Sequence, residues 1–187
     1  MLENVETHEL QREVFRYSII EETDKHFATT LGLDDHDLEE IASPNKQAST
    51  APKKQFRSRF TNGEFEVFYT AFELKTAEAE IRHHLPARAA GNTRPTPYHY
   101  SGSRMVFTGF AKDLRPLAEV WPKLMHTSDY SFCNSLGVEA VELKLDALVV
   151  PSVRQLGGTN LPVFRRASAV FLSAEGELIL TYPEELP

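Results

Sequence analysis

The chain contains a single cysteine, Cys133, among its 187 residues, so it has no partner for an internal disulfide. No hydrophobic run approaches the roughly 20 residues that a membrane-spanning helix needs. The N-terminal segment is too acidic and polar for a signal peptide. A lone thiol is typical of proteins kept in a reducing compartment. We therefore expect a cytoplasmic protein that does not enter a membrane.

Positive charge is also in short supply. Lys and Arg number 20 against 27 Asp and Glu, which gives a formal net charge of −7 at pH 7. Proteins that bind nucleic acid on their own usually present a basic surface. The acidic balance therefore argues against direct binding to DNA or RNA. A hydrophobic content of 41% is ordinary for a globular domain that buries its own core.

Several common catalytic and metal-binding patterns are absent. The sequence has no glycine-rich dinucleotide or phosphate loop, no Cys-x-x-Cys and no His-Glu-x-x-His. His83 and His84 are adjacent in a predicted helix, so their side chains point about 100° apart and suit one metal ion poorly. Cys133 falls on the apolar stripe of another predicted helix, which favours packing over nucleophilic chemistry. We expect no metal site.

The order of the predicted elements favours an α+β domain. Hydrophobic spacing predicts helices over residues 3–17 and 34–42, and a polar loop follows over 43–55. The later helices are predicted over 76–85, with Thr76 as N-cap and Pro86 as the end, and over 129–143. Strands are predicted over 65–72, 103–110, 147–150, 161–172 and 177–182.

From these elements we predict a single fold with an N-terminal addition. Residues 1–55 form a helical segment and loop that pack on the domain, and residues 56–187 form the domain itself. Its core is expected to be a mixed, mostly antiparallel sheet flanked by helices. A second Pro- and Gly-rich loop, predicted over 86–99, is long enough to form a lid or rim.

One stretch combines three side chains of chemical interest. Arg59 stands ten residues before Tyr69 in a predicted strand, and Glu80 stands eleven residues after it in a predicted helix. A long basic side chain, an aromatic ring and a carboxylate on adjacent rigid elements suit a pocket that cleaves a nucleotide. Such residues also occur together by chance, with the carboxylate of Glu80 facing solvent. Position alone leaves both interpretations open.

Three segments resemble the RES domain family. The sequence SRFTNGEFEVFYTAFELKTAEAEIRHHL resembles the family's arginine-aromatic pair, Tyr-x-Ala strand and following helix with a glutamate. DYSFCNSLG resembles its tyrosine-led helix, and VVPSVRQLGGTNLPVF resembles its Pro-Ser-x-Arg turn, Gly-rich bend and following strand. Phe60-Thr61, Asn134 and Asp146-Ala147 depart from the residues usual in the family, and Thr61 and Asn134 are placed to alter rate or substrate.

The resemblance implies both a fold and an activity. RES domains are mostly toxins of bacterial toxin–antitoxin pairs, with a fold similar to the ADP-ribosyltransferase toxins. They act on NAD⁺ and cleave its nicotinamide–ribose bond by hydrolysis or phosphorolysis, and some transfer ADP-ribose to a protein. An Xre-type antitoxin would hold this chain inactive by blocking the pocket. The resemblance leaves open the acceptor of the ADP-ribose and whether the chain forms a homo-oligomer.

By position, the resemblance implies four site residues. Glu80 and Ser152 would be catalytic, with Glu80 favouring positive charge on the ribose and Ser152 orienting the substrate. Arg59 and Tyr69 would bind NAD⁺, at the pyrophosphate and the nicotinamide ring. Arg57, Arg154 and Asn160 are further candidates at the edge of the pocket.

Two alternatives stand beside this hypothesis. The chain could be an ADP-ribosyltransferase that acts on a protein target, or it could keep the RES fold as a non-catalytic binding or regulatory protein. An N-terminus folded over the pocket would favour the second alternative or an autoinhibited enzyme.

Overall fold

The computed structural model describes residues 1–20 and 57–183. The described strands are β1 Thr7–Ile19, β2 Phe68–Ala71, β3 Thr96–Asp113, β4 Ala147–Pro151, β5 Thr159–Val163 and β6 Ala169–Tyr182. The described α-helices are α1 Leu74–Arg88 and α2 Ser131–Glu142. Short 3₁₀ turns lie at Leu2–Asn4, Arg115–Leu117, Pro122–Met125 and Arg166–Ser168. The predicted α+β class is confirmed.

The six described strands form one mixed sheet in the order β1-β2-β5-β4-β3-β6. Strand β1 also pairs with β3, so the pairings among β1, β2, β5, β4 and β3 close into a ring. Only the β3–β4 pairing is parallel; the others are antiparallel. The predicted mixed, mostly antiparallel sheet is therefore confirmed. Strand β6 extends the sheet beyond β3.

Three groups of buried side chains stabilise this arrangement. One lies beneath α2, a second lies inside the strand ring, and a third lies beneath α1. Their fully buried members include Phe60 and Leu136 in the first group and Val14, Phe107 and Leu161 in the second. Each such large side chain contributes about 1.5–3 kcal/mol through removal of apolar surface from water. The two helices are thus fixed on different parts of one sheet.

The helix predicted over residues 3–17 is wrong, because β1 occupies Thr7–Ile19. Leu10 and Val14 are four apart, a spacing that suits a helix, but they also share one face of a strand. Arg12 and Arg16 share this face. The guanidinium of Arg12 lies 4.1 Å from the ring centroid of Phe72, and that of Arg16 lies 4.4 Å from the ring centroid of Phe68. Charged side chains on the face that carries Val14 hid the alternation of the strand, since Arg12 is exposed and Arg16 only half-buried. The helix predicted over 34–42, the loop over 43–55 and the division at residue 55 lie outside the described residues.

Helix α1 is longer at both ends than predicted. It begins at Leu74 with Glu73 as N-cap, and Thr76 instead donates from Oγ1 to the Glu73 carboxylate at 2.9 Å. The predicted end at Pro86 is also wrong, because the helix continues to Arg88. Pro86 is exposed and lies in the last turn of the helix, where the loss of one main-chain hydrogen bond does not break the preceding turns. The predicted 86–99 loop is correspondingly shorter.

The strand boundaries differ for similar local reasons. Strand β2 covers only Phe68–Ala71, whereas β3 extends over Thr96–Asp113. The strand predicted over 161–172 is divided by the 3₁₀ turn Arg166–Ser168. Gly176 was expected to separate two strands, but it lies within β6 with φ of +90°, where β6 shifts its register against β3.

Candidate active site

The site is built around Glu80, which α1 carries in its second turn. Its Oε1 accepts a hydrogen bond from Ser152 Oγ at 3.0 Å and another from Asn160 Nδ2 at 2.6 Å. The three side chains come from α1, from the turn after β4 and from β5. Among the described residues, none donates a hydrogen bond to Oε2. Glu80 therefore has one carboxylate oxygen fixed by the protein and a second available for chemistry.

The hydroxyl of Ser152 has a defined direction. Its Oγ accepts the main-chain N–H groups of Arg154 and Gln155, each at 3.1 Å. Because both N–H groups donate to this oxygen, its own proton is free to point at Glu80. The side chain is only 5% exposed. Ser152 therefore orients the carboxylate.

A close backbone approach brings this turn to the helix. The turn closes through the Ser152 N–H, which donates to the Gly158 carbonyl at 2.9 Å. A Cβ on Gly158 would lie 2.4 Å from Thr76 Oγ1 in the first turns of α1. Only glycine fits at such a distance without a shift of the helix. The Gly157-Gly158 pair thus lets the Ser152 turn lie against the helix that carries Glu80.

Tyr69 braces the loop that precedes β2. Its hydroxyl oxygen accepts the Phe60 N–H at 2.9 Å and the Ser58 hydroxyl at 3.2 Å. The ring packs against the core beneath α2. Burial, reinforced by the negative charge of Glu80, raises the pKa of the Tyr69 phenol above its ordinary value. Tyr69 is therefore neutral at physiological pH and lies within electrostatic range of Glu80.

Arg59 connects the same loop to the Ser152 turn. Its Nη1 donates to the Pro151 carbonyl at 2.9 Å, and its Nη2 donates to the Leu124 carbonyl. The side chain is 7% exposed, and its buried Nε has no hydrogen-bond partner among the described residues. Pro151 directly precedes Ser152, so Arg59 fixes the start of the turn that orients Glu80. Asn134 holds the loop from the other side, donating from Nδ2 to the Ser58 and Arg59 carbonyls, each at 2.9 Å.

The four predicted site residues thus lie in one connected group. Glu80 contacts Ser152 directly, Arg59 holds the residue before Ser152, and Tyr69 holds the residues on both sides of Arg59. This arrangement can be compared with known proteins. The RES domain family model matches residues 34–182, which is most of the chain. The chain belongs to the RES domain family.

The solved structures support the same fold. This RES domain is similar to a chain in the crystal structure of the M. tuberculosis MbcT–MbcA toxin–antitoxin complex, with a TM-score of 0.57. The two share 17% sequence identity, and the alignment covers 93% of this chain and 86% of the other. No curated protein matches the sequence. The family resemblance inferred from the sequence motifs is confirmed.

The further candidates occupy different positions in the RES domain. Asn160 contacts Glu80, whereas Arg57 is exposed. Arg154 Nη2 donates to the Thr127 carbonyl and to the Tyr130 hydroxyl, both at 2.7 Å. Arg154 thereby joins the Ser152 turn to the start of α2.

His83 and His84 follow Glu80 on α1. Partial burial and the positive charge of Arg154 lower the pKa of both imidazoles, and the charge of Glu80 opposes this effect. Both side chains are therefore mostly neutral near pH 7. Within residues 1–20 and 57–183, no group of three or more His, Cys, Asp or Glu side chains is arranged to hold a metal ion.

Two parts of the site were missed or undervalued in the sequence. Asn134 was noted as a departure from the family placed to alter rate or substrate, and its contacts with the loop around Arg59 were missed. Asn160 was placed at the edge of the pocket, although it donates directly to Glu80. No sequence signal showed this contact, because it depends on the pairing of Asn160 with Ala71 of β2. Separately, none of the described helices is long and apolar enough to cross a membrane.

Proposed function

We propose that this RES domain is an enzyme that cleaves the nicotinamide–ribose bond of NAD⁺. The observation that carries the proposal is the state of Glu80: Oε1 accepts two hydrogen bonds from the protein, and Oε2 accepts none from the described residues. The two donors fix the position of Oε1. A carboxylate with one fixed and one available oxygen suits the stabilisation of a developing positive charge.

The chemistry follows from the bond that breaks. Departure of nicotinamide builds positive charge on the ribose, and the pair of electrons in the C–N bond leaves with nicotinamide. The Glu80 carboxylate favours this oxocarbenium-like state more than it favours the substrate, and it also accepts a ribose hydroxyl. Ser152 holds the carboxylate in place during this step. The oxygen of water then bonds to the ribose carbon and its extra proton passes to solvent, or a phosphate oxygen bonds there instead.

Arg59 and Tyr69 are proposed to bind NAD⁺ in the same pocket. The buried Nε of Arg59 is a donor without a partner among the described residues, which suits a charge-assisted bond to the pyrophosphate. The aromatic ring of Tyr69 would pack against the nicotinamide, since its hydroxyl already accepts hydrogen bonds from the loop. Both residues therefore combine a structural contact with a predicted contact to substrate.

The biological role that we propose is that of a toxin held inactive by a cognate antitoxin in the cytoplasm. The similar fold in the MbcT–MbcA complex, which is named as a toxin–antitoxin complex, supports a protein partner. The Xre type of that partner follows from the family resemblance. An antitoxin that covers Glu80 would block access to the available carboxylate oxygen.

Loss of NAD⁺ in the presence of purified protein tests the proposal. Glu80→Gln keeps the shape of the side chain and removes its charge, so we expect turnover to fall by about 10²–10⁴-fold. Glu78→Gln is the matched control, since Glu78 lies on the same helix and pairs with Arg82 at 2.7 Å. We expect the control to consume NAD⁺ at the wild-type rate.

The same assay with and without phosphate separates the acceptors. A rate that rises with phosphate indicates phosphorolysis, whereas an unchanged rate indicates hydrolysis. Folded wild-type protein that leaves NAD⁺ intact, with no partner bound, would contradict the proposal. Transfer of ADP-ribose to a protein, or a non-catalytic role, would then account for the fold.

A further inference from the structure

Asn160 is more deeply buried than Ser152 and has a fixed orientation. It is 3% exposed and lies in β5 opposite Ala71. A carboxylate oxygen only accepts hydrogen bonds, so the atom 2.6 Å from Glu80 Oε1 must be the Nδ2 amide nitrogen. This assignment places the carbonyl oxygen, Oδ1, on the other branch of the amide.

The Oδ1 of Asn160 is buried and has no hydrogen-bond partner among the described residues. The other buried side-chain atoms in this condition are all arginine Nε donors, so Oδ1 is the one acceptor of the set. A buried acceptor without a donor lowers stability, and proteins retain such atoms where a ligand or water supplies the donor. Here the acceptor lies on the same amide that holds Glu80.

We propose that Asn160 is a positioning residue for Glu80 and that its Oδ1 accepts a hydrogen bond from the substrate. The inference rests on the proposed cleavage of NAD⁺. Next to the bond that breaks, NAD⁺ carries two kinds of donor, the ribose hydroxyls and the carboxamide N–H of nicotinamide. Either donor would satisfy Oδ1 and would link substrate binding to the position of the carboxylate.

Two independent contacts explain why Asn160 matters beside Ser152. Both residues donate to Oε1, Ser152 from the turn after β4 and Asn160 from β5. A glutamate side chain has three rotatable bonds, and a hydrogen bond from a single donor still allows the carboxylate to rotate. The second donor fixes the carboxylate plane and hence the direction of Oε2. Loss of this contact lowers kcat, whereas loss of the Oδ1 contact raises KM.

Two substitutions at Asn160 separate these effects. Asn160→Leu has similar size and removes both polar atoms, so we expect kcat for NAD⁺ loss to fall about 10- to 100-fold, with a raised KM. Asn160→Asp keeps the shape and places a second carboxylate against Glu80. The two carboxylates then hold one shared proton up to a higher pH. The pH below which kcat falls is therefore expected to rise by about one unit or more.

Thr70→Val is the control for a buried polar group in the same pair of strands. Thr70 is 4% exposed and donates from Oγ1 to the Leu161 carbonyl at 2.9 Å, one residue beyond Asn160. We expect a lower melting temperature for this variant, with the wild-type pH profile. If Asn160 had only a structural role, its variants would likewise show a lower melting temperature with the wild-type pH profile.

Substrate analogues identify the donor that Oδ1 accepts. The analogue with nicotinic acid lacks the carboxamide N–H, and the 2′-deoxyribose and 3′-deoxyribose analogues each lack one hydroxyl of the nicotinamide ribose. The analogue that lacks the relevant donor should show the same KM with wild type and with Asn160→Leu. If all three analogues still distinguish the two proteins, the Oδ1 contact is overturned.

The outcomes separate this inference from the proposed function. Suppose that the wild type consumes NAD⁺ and that Asn160→Asp folds with unchanged kcat and an unchanged pH profile. This result would overturn the positioning role of Asn160 and would leave the proposed activity intact. Wild type that leaves NAD⁺ intact would overturn the proposed function first, and this inference with it. Asn160→Asp decides the matter if Asn160→Leu fails to fold, because it retains the size and polarity of the native side chain.

Discussion

Ser152 and Glu80 are 72 residues apart in the chain, and the Ser152 Oγ donates a 3.0 Å hydrogen bond to Glu80 Oε1. The contact joins a short, tightly bonded turn to a long side chain on a helix. Since the same Oγ accepts two main-chain N–H groups of the turn, the position of the hydroxyl is set by the backbone. The carboxylate of Glu80 is therefore oriented by the backbone of the turn.

Removal of that hydroxyl should affect activity more than stability. In Ser152→Ala, Glu80 keeps only the Asn160 contact, so we expect NAD⁺ consumption to fall about 10- to 100-fold with little change in KM. The free energy of unfolding should fall by only about 1 kcal/mol. Steady-state kinetics and urea denaturation measure the two effects. Ser135→Ala on the exposed face of α2 serves as control, and full activity of Ser152→Ala would contradict the assigned role.

Arg59 should contribute to stability as well as to the predicted binding of NAD⁺. Arg59→Met leaves the Pro151 and Leu124 carbonyls without their donors, so we expect the free energy of unfolding to fall by about 2–4 kcal/mol. The exposed Arg88 in the last turn of α1 provides the matched control as Arg88→Met. Denaturation and KM should be measured together. A raised KM at wild-type stability would show that the carbonyl contacts matter little and that Arg59 acts on substrate alone.

The hydroxyl and the ring of Tyr69 should have separable roles. Tyr69→Phe keeps the ring and removes the acceptor for the Phe60 N–H, so the free energy of unfolding should fall by about 1–2 kcal/mol. KM should stay near the wild-type value if the ring forms a wall for nicotinamide. Tyr98→Phe, which loses an exposed contact to Asn92, is the control. A large rise in KM for Tyr69→Phe would instead place the hydroxyl against substrate.

Gly137 should be among the least replaceable residues of α2. A Cβ at this position would lie 1.9 Å from the Phe60 carbonyl oxygen, which is backbone of the loop that carries Arg59. We expect Gly137→Ala to lower the free energy of unfolding by about 3 kcal/mol or to prevent folding, because the helix and the loop must separate. Gly91→Ala meets no atom within 4 Å and strains only its φ of +97°, so about 1 kcal/mol is expected. Equal melting temperatures for the two variants would refute this explanation.

Part of the fold could be predicted from the sequence because local signals agreed with the tertiary structure. The short buried strand before Pro151 was predicted over 147–150 and is observed as Ala147–Pro151. The N-terminal strand was mistaken for a helix because Arg12 and Arg16 share a strand face with Leu10 and Val14, where their guanidinium groups stack on Phe72 and Phe68. A sequence pattern assigns arginine to the outside, and only the neighbouring strand shows that an aromatic ring is available for it.

The site was predictable in its residue types and less so in its contacts. The family resemblance implied that Glu80 and Ser152 share one pocket, and the structure shows them in direct contact. The main-chain contacts of Arg59 were not predictable, because no sequence pattern shows that the Pro151 and Leu124 carbonyls lie within reach. The contact of Asn160 with Glu80 likewise depends on the pairing of β2 with β5.

The ring of strands also has a consequence for synthesis. Strand β1 is the first described strand to be made, yet its longest pairing is with β3, in which Val14 lies opposite Met105, roughly 90 residues later. Pairings between such distant segments form slowly, because a long loop must close before any contact compensates for the lost entropy. Most of β1 therefore lacks its partner strand until β3 has been made. Since Ser152 and Asn160 follow β3 in the chain, the candidate site cannot form before both residues have been synthesised.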